Sequence, residues 1–467
     1  MKHSRRVFLS MSAAITLQPK FALADTALRT RYDVGSPGGQ KMLALYVEAV
    51  KRMRALPAAD PRSWTFQWYV HAVPNNPGKA TALAQVFGAD NSVARTLATE
   101  IWSSCEPHFS ARSELFLPWH RYFLLAFEDV IRGVLANDSF TLPYWDYTRA
   151  DGRALPAAFR KGAGAHWAPL FQANRKKSLM IDINAGDPID KGTSASPYTL
   201  RAMERTQYSG PLGFCATLDQ TLHGSVHTGV GDPTNMGAVP TAAGDAVFWL
   251  HHCNIDRIWA GWNKSGGKNP AFSQPFVFAG SSGARLFYNG DGVGDTAKLG
   301  YGYDDLPVLP AATQVGMGVS ANEPETIAAS TGAISLGDTP TLVPMRAEPG
   351  QPSTSVSAQD EDVRILIVIE GLTTDVEPGT LFEIFIDLPQ AAGPDERRAH
   401  YVGTFSFFGA MAGHAHGAGP SFDVTATIRA LAQSRTLRQD NVITIEPVGT
   451  PVQTARPAVA KIEIVRR

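Results

Sequence analysis

A chain of 467 residues, 44% hydrophobic and 18% charged, is long enough for two or three domains with full cores. Its 42 basic residues are balanced by 43 acidic ones and no basic run stands out, so there is no surplus of positive charge to neutralise phosphates and no nucleic-acid partner is expected. Three cysteines, Cys105, Cys215 and Cys253, without a CxxC pair, exclude a disulfide scaffold and a thiolate zinc site.

The first residues read MKHSRRVFLSMSAAITLQPKFALA, with twin arginines Arg5 and Arg6, an apolar stretch from Val7 to Leu17 and the small-residue site Ala22-Leu23-Ala24. This predicts a twin-arginine export signal over residues 1–24 and a periplasmic or secreted product. Cleavage after Ala24 removes four basic residues and no acid, leaving 38 basic against 43 acidic. The apolar run is well short of the roughly 20 residues that span a bilayer, and no membrane segment is predicted. From Lys41 to Leu56, apolar residues at three- and four-residue steps predict a helix that Pro57 stops. Pro118 opens a second, running to about Leu135 with Phe123, Phe127, Ile131 and Val134 inward. A third follows Asp245, read as its N-cap. Residues 25–308 thus read as a mainly α catalytic domain. Residues 309–360, rich in Pro, Gly, Ser, Thr and Ala, read as a linker. Short runs rich in branched and aromatic residues, Val363–Ile369, Leu381–Leu388, Tyr401–Phe408, Phe422–Ile428, Val442–Val448 and Val459–Val465, predict a small all-β antiparallel sandwich over 361–467.

The placement of the histidines carries the chemistry. His223 and His227 lie four residues apart in LDQTLHGSVH, on one helix face. His251 and His252 follow in DAVFWLHHCNIDRIW, where only one of the neighbours is expected to face the same ion. His252 is chosen because it shares a face with Asp256, a candidate acceptor behind the imidazole or partner of Arg257. Upstream, His120 sits on the apolar face of the Pro118 helix, His108 precedes it by twelve residues, and His71 ends the aromatic stretch WTFQWYVH. Any one of these alone reads equally well as a hydrogen-bonded core histidine. Together, three before residue 121 and three between 223 and 252 make two three-nitrogen sites. The residue after His223 is Gly224, so the glutamate of a zinc hydrolase HExxH is missing. No carboxylate completes an iron site, and six neutral imidazoles suit two copper ions.

The strings FLPWHRYFLLAFE, LPYWDYT, HGSVH, VFWLHHCNIDRIW and LGYGYDDLP resemble those of tyrosinases and catechol oxidases, the type-3 binuclear copper polyphenol oxidases. The tail, with VGTFSFF and PSFDVTATIRAL, is similar to the C-terminal sandwich that accompanies many of them. The resemblance implies a four-helix-bundle core. It assigns His71, His108 and His120 to one copper and His223, His227 and His252 to the other, and it implies oxidation of o-diphenols to o-quinones with dioxygen. It also implies that the C-terminal domain covers the copper pocket.

The pattern departs from the family at several points. The twelve-residue gap to His108 is longer than usual, and Cys105 lies three residues before His108 where thioether-forming members have two. Gly224 stands where tyrosinases often carry an asparagine that helps deprotonate monophenols, which implies weaker monophenol hydroxylation. Asp219, in step with His223 and His227, is the candidate acid–base group. An o-aminophenol oxidase and a haemocyanin-like dioxygen carrier remain open as alternatives. His414 and His416 in GHAHG read as loop residues or as transient copper contacts.

Overall fold

The computed structural model describes residues 28–106, 113–178, 181–210, 212–309, 324–360, 362–410 and 418–467. The segment expected to be a signal, His108, His414 and His416 lie outside the described residues.

The predicted first helix is α1, Pro37–Ala55, entered through Ser36, whose hydroxyl accepts from the Gly39 N–H. Leu43, Tyr46, Val47, Val50 and Met53 form its buried stripe. It ends at Ala55, with Leu56 extended as its cap, because the Pro57 ring disfavours helical backbone for the residue preceding it. Helices α2 (Trp64–His71), α3 (Lys79–Phe87) and α4 (Val93–Ile101) follow. Helix α5, Phe116–Leu135, begins two residues before Pro118 rather than at it, because a first-turn proline removes no intrahelical donor. It closes on Ala136, a left-handed residue whose N–H reaches back to Arg132 and Gly133.

Helices α6 (Phe214–Leu218) and α7 (Gly224–Val230) are joined by one π turn over Asp219–His223. After the short α8 (Val239–Ala242) comes α9, Val247–Lys264, nearly all of it buried. The α9 N-cap position falls on Ala246. Asp245 instead makes a buried two-pronged ion pair with Arg175, at 2.8 and 2.7 Å, while its Oδ1 also accepts from Val247 N. Helices α2, α5, α6–α7 and α9 enclose one hydrophobic core, with Phe127 stacked on Trp249 and Phe214 on Trp262. None of the described helices is long and apolar enough to cross a membrane.

A second core lies between two antiparallel sheets. Phe382–Ile386 pairs with Tyr401–Phe405 and Val442–Pro447, and the latter pairs with Thr341–Pro344. In the other sheet, Ile365–Thr373 lies between Ala418–Asp423 and Ala458–Arg466, and Glu325–Ala329 pairs with the last of these. Two expectations are corrected here. The stretch read as a linker over 309–360 contributes strands to both sheets from Glu325 onward, because alternating residues such as Ile327, Ala329 and Val343 are buried against the core. The strand expected over Phe422–Ile428 stops at Asp423 and gives way to a helix, Thr425–Gln433, whose Ile428 and Leu431 are inward at a helical step.

Between the two cores, Ser194 donates through its N–H and hydroxyl to the Glu383 carboxylate, and Arg205 donates to the backbone oxygen and hydroxyl of Ser421.

Candidate metal centre

Four helices deliver six buried imidazoles to one place. His71 closes α2, His120 lies in the first turns of α5, His223 and His227 flank the π turn, and His251 and His252 sit on α9. One ring nitrogen from each of His223, His227, His251 and His252 falls within 4.8 Å of the others, and His71, Cys105 and His120 make a second such group. The groups adjoin: the His120 and His252 rings stack at 4.3 Å and 10°, and His71 lies 6.5 Å from His252.

The orientation of the rings is set from behind. His71 Nδ1 faces the Val239 carbonyl at 3.1 Å, His120 Nδ1 the Phe116 carbonyl at 2.8 Å, and His227 Nδ1 the Met236 carbonyl at 2.8 Å. A carbonyl accepts only, so each of these nitrogens is the protonated one and Nε2 carries the free lone pair. His223 Nδ1 faces Asp219 Oδ1 at 2.9 Å. His227 Nε2 and His252 Nε2 stand 3.3 Å apart. Burial, followed by the neighbouring imidazoles, holds His227 and His252 well below the ordinary histidine range, so both are neutral bases. Buried, neutral and convergent nitrogen donors without a carboxylate fit a borderline transition metal such as copper.

The predicted site residues divide as follows. His71 and His120 come together, as do His223, His227 and His252; His108 lies outside the described residues. Asp219 is buried against His223, the ring it was expected to share a face with. Asp256 does not stand behind His252. It pairs with Arg31 at 2.9 Å and with Arg121, and accepts from the Tyr301 and Tyr303 hydroxyls. Burial alone would raise its pKa, but Arg121 and Arg31 hold the carboxyl below its usual value. Arg257 is taken by Asp146 at 3.2 Å and Asp305 at 2.9 Å.

Three further neighbours complete the surroundings. His251 also turns inward, stacked on His223 at 5.3 Å and 12°, because the Tyr147 hydroxyl, 2.8 Å from its Nδ1, holds the ring. Cys105 Sγ lies 3.8 Å from His120 Nε2. From the C-terminal unit, the Phe408 ring enters the first core and lies on His227 at 3.9 Å and 6°, and edge-on to His223 at 5.5 Å. A Cβ at Gly224 would come within 2.7 Å of Ser406 Oγ, so the glycine lets the Ser406–Phe408 segment approach. The His-His pair signalled His251, but nothing local to FSFFG signals a contact with a histidine 181 residues away.

Residues 61–209 and 201–265 match the common central domain of tyrosinase, and residues 323–467 match a domain of unknown function, DUF7868. The chain is 26% identical over 441 residues to tyrosinase HcTyr1 of Hahella sp., covering 86% of this chain and 91% of that one. It is 27% identical to the chloroplastic polyphenol oxidase of Malus domestica, over 77% of this chain and 65% of the relative. Its fold is similar to that of a latent apple tyrosinase, with a TM-score of 0.59 and 21% identity over 94% of this chain and 97% of that one.

Proposed function

We infer, for a chain that belongs to the tyrosinase and polyphenol oxidase family of binuclear copper oxidoreductases, that its reaction is the oxidation of o-diphenols to o-quinones by dioxygen. The observation that carries this reading is the pair of adjoining, histidine-rich donor groups, joined through the stacked His120 and His252 rings.

His71 and His120, with His108 as the resemblance implies, would hold the first copper; His223, His227 and His252 would hold the second. His252 is preferred to His251 because its Nε2 lies beside that of His227. Bound there, the two coppers supply the redox chemistry by which dioxygen takes two electrons from a catechol. The chain's own residues orient and exclude. The Val239, Phe116 and Met236 carbonyls fix the Nδ1 protons of His71, His120 and His227 and so aim the lone pairs. The Asp219 carboxylate lies 2.9 Å from His223 Nδ1 and is the candidate acceptor of a phenol proton. The Phe408 ring occupies the face of His227 that a flat phenol would use, which supports a C-terminal unit that covers the pocket and limits access until it is displaced.

Gly224 offers no side-chain acceptor, so monophenol hydroxylation is weaker than diphenol oxidation. Twin-arginine export with cleavage after Ala24 completes the proposal, and N-terminal sequencing of the exported chain tests it.

The test of the activity is copper content together with initial rates on dopa and tyrosine. Two coppers per chain and a dopa rate several-fold above the tyrosine rate are expected. A copper-loaded chain that turns over neither phenol, with its C-terminal unit removed, refutes the reading, and a tyrosine rate equal to that on dopa refutes the role of Gly224.

A further inference from the structure

Behind the π turn, on the side away from the imidazoles, the two cores do not close completely. A cavity of about 380 Å³ remains between the segment 195–205, the helix carrying Thr217 and Thr221, and the edges of the two sheets at residues 401–404 and 421–423. Its size falls within the roughly 300–1,000 Å³ of ligand pockets.

Its chemistry is uneven. Four guanidinium groups, those of Arg201, Arg205, Arg364 and Arg398, line it, against two carboxylates, Glu204 and Asp423. Arg364 is 3.6 Å from Asp423, and Arg398 pairs outward with Asp395, but Arg205 has only the Ser421 oxygens as hydrogen-bond acceptors among the described residues. Burial, ahead of Asp423, pushes the Glu204 carboxyl up. Thr217, 4% exposed, lines the same cavity, and its hydroxyl has no hydrogen-bond partner among the described residues. A buried hydroxyl left without a partner costs about 1–3 kcal/mol unless something in the space beside it bonds to it. On the opposite wall Tyr401 and Phe422 present aromatic rings.

We propose that this cavity is a binding site for a small aromatic carboxylate, whose oxyanion is held by the arginines and the Thr217 hydroxyl and whose ring packs on Tyr401 and Phe422. Guanidinium groups match a carboxylate through paired N–H donors, and arginines outnumbering carboxylates in the wall favour an anion over a neutral phenol. The lining comes from both cores, so the bound anion bridges them. The site is separate from the imidazoles and needs no metal.

The test is calorimetric titration of the full copper-loaded chain with benzoate, and in parallel with inorganic phosphate. Saturable benzoate binding is expected, with phosphate at least tenfold weaker. Thr217→Val and Arg201→Gln are each expected to weaken benzoate at least tenfold. Thr217→Val, which removes an unpaired hydroxyl without changing the side-chain shape, leaves the melting temperature of the unliganded chain unchanged or higher, so a loss of binding there is not a loss of folding. The proposal is overturned by the absence of saturable heat, by phosphate binding as tightly as benzoate, or by benzoate affinity unchanged in both variants, which places the anion at the copper centre instead. None of these results depends on turnover, so they leave the oxidase reading standing or falling on its own test.

Discussion

Replacing Phe408 by Ala tests whether the second core limits access to the imidazoles. The ring is 2% exposed and lies flat on His227 at 3.9 Å. Burying a Phe side chain contributes about 1.5–3 kcal/mol, and a well-placed aromatic pair adds about 0.5–1.5 kcal/mol. Taking about 3 kcal/mol as the part lost to the covered state, and roughly 1.4 kcal/mol for each tenfold, the balance between covered and uncovered chain moves by on the order of 100-fold. If the covered state dominates, the dopa rate of the uncleaved chain rises by tenfold or more, towards that of the chain freed of its C-terminal unit, and the cleaved enzyme's own rate stays the same. Phe407→Ala is the control. Phe407 packs inside the sandwich against Phe382 and Phe405 and loosens that core without uncovering an imidazole. An unchanged dopa rate in Phe408→Ala, or equal gains in the two variants, refutes the argument.

Further outcomes follow from the same geometry. Gly224→Asn puts a Cβ 2.7 Å from Ser406 Oγ and an amide beside His223, so the tyrosine-to-dopa rate ratio should rise while the Ser406–Phe408 contact loosens; an unchanged ratio counts against this. Asp256→Asn leaves Arg31 and Arg121 short of a buried counter-charge and should cost about 3–5 kcal/mol in urea unfolding. A loss below about 1 kcal/mol would show that the network is dispensable. Burial lifts Glu377, whose carboxylate accepts from the Gly409 N–H, to about 8 from an ordinary 4.5. Between those values the folded chain keeps a proton that the unfolded chain releases, so stability falls as pH rises through the window. Glu377→Gln, neutral throughout, should reduce the drop in melting temperature between pH 5 and pH 8, and an identical pH profile would refute the burial argument.

Local patterns determined much of this. Prolines and apolar steps placed the first and fifth helices to within a few residues, and the pairing of His223 with His227 and the inward face of His120 are short-range consequences of helical geometry. The low-hydrophobicity stretch after residue 309 misled, because strands such as Thr341–Pro344 take their stability from partners about a hundred residues away rather than from their own composition. Only the tertiary structure decided that Asp256 serves two arginines instead of His252, that Tyr147 turns His251 inward, and that Phe408 rests on His227. Each of these is a contact across 100 or more positions, and such contacts depend on how packed cores dock, which no periodicity within a single element encodes.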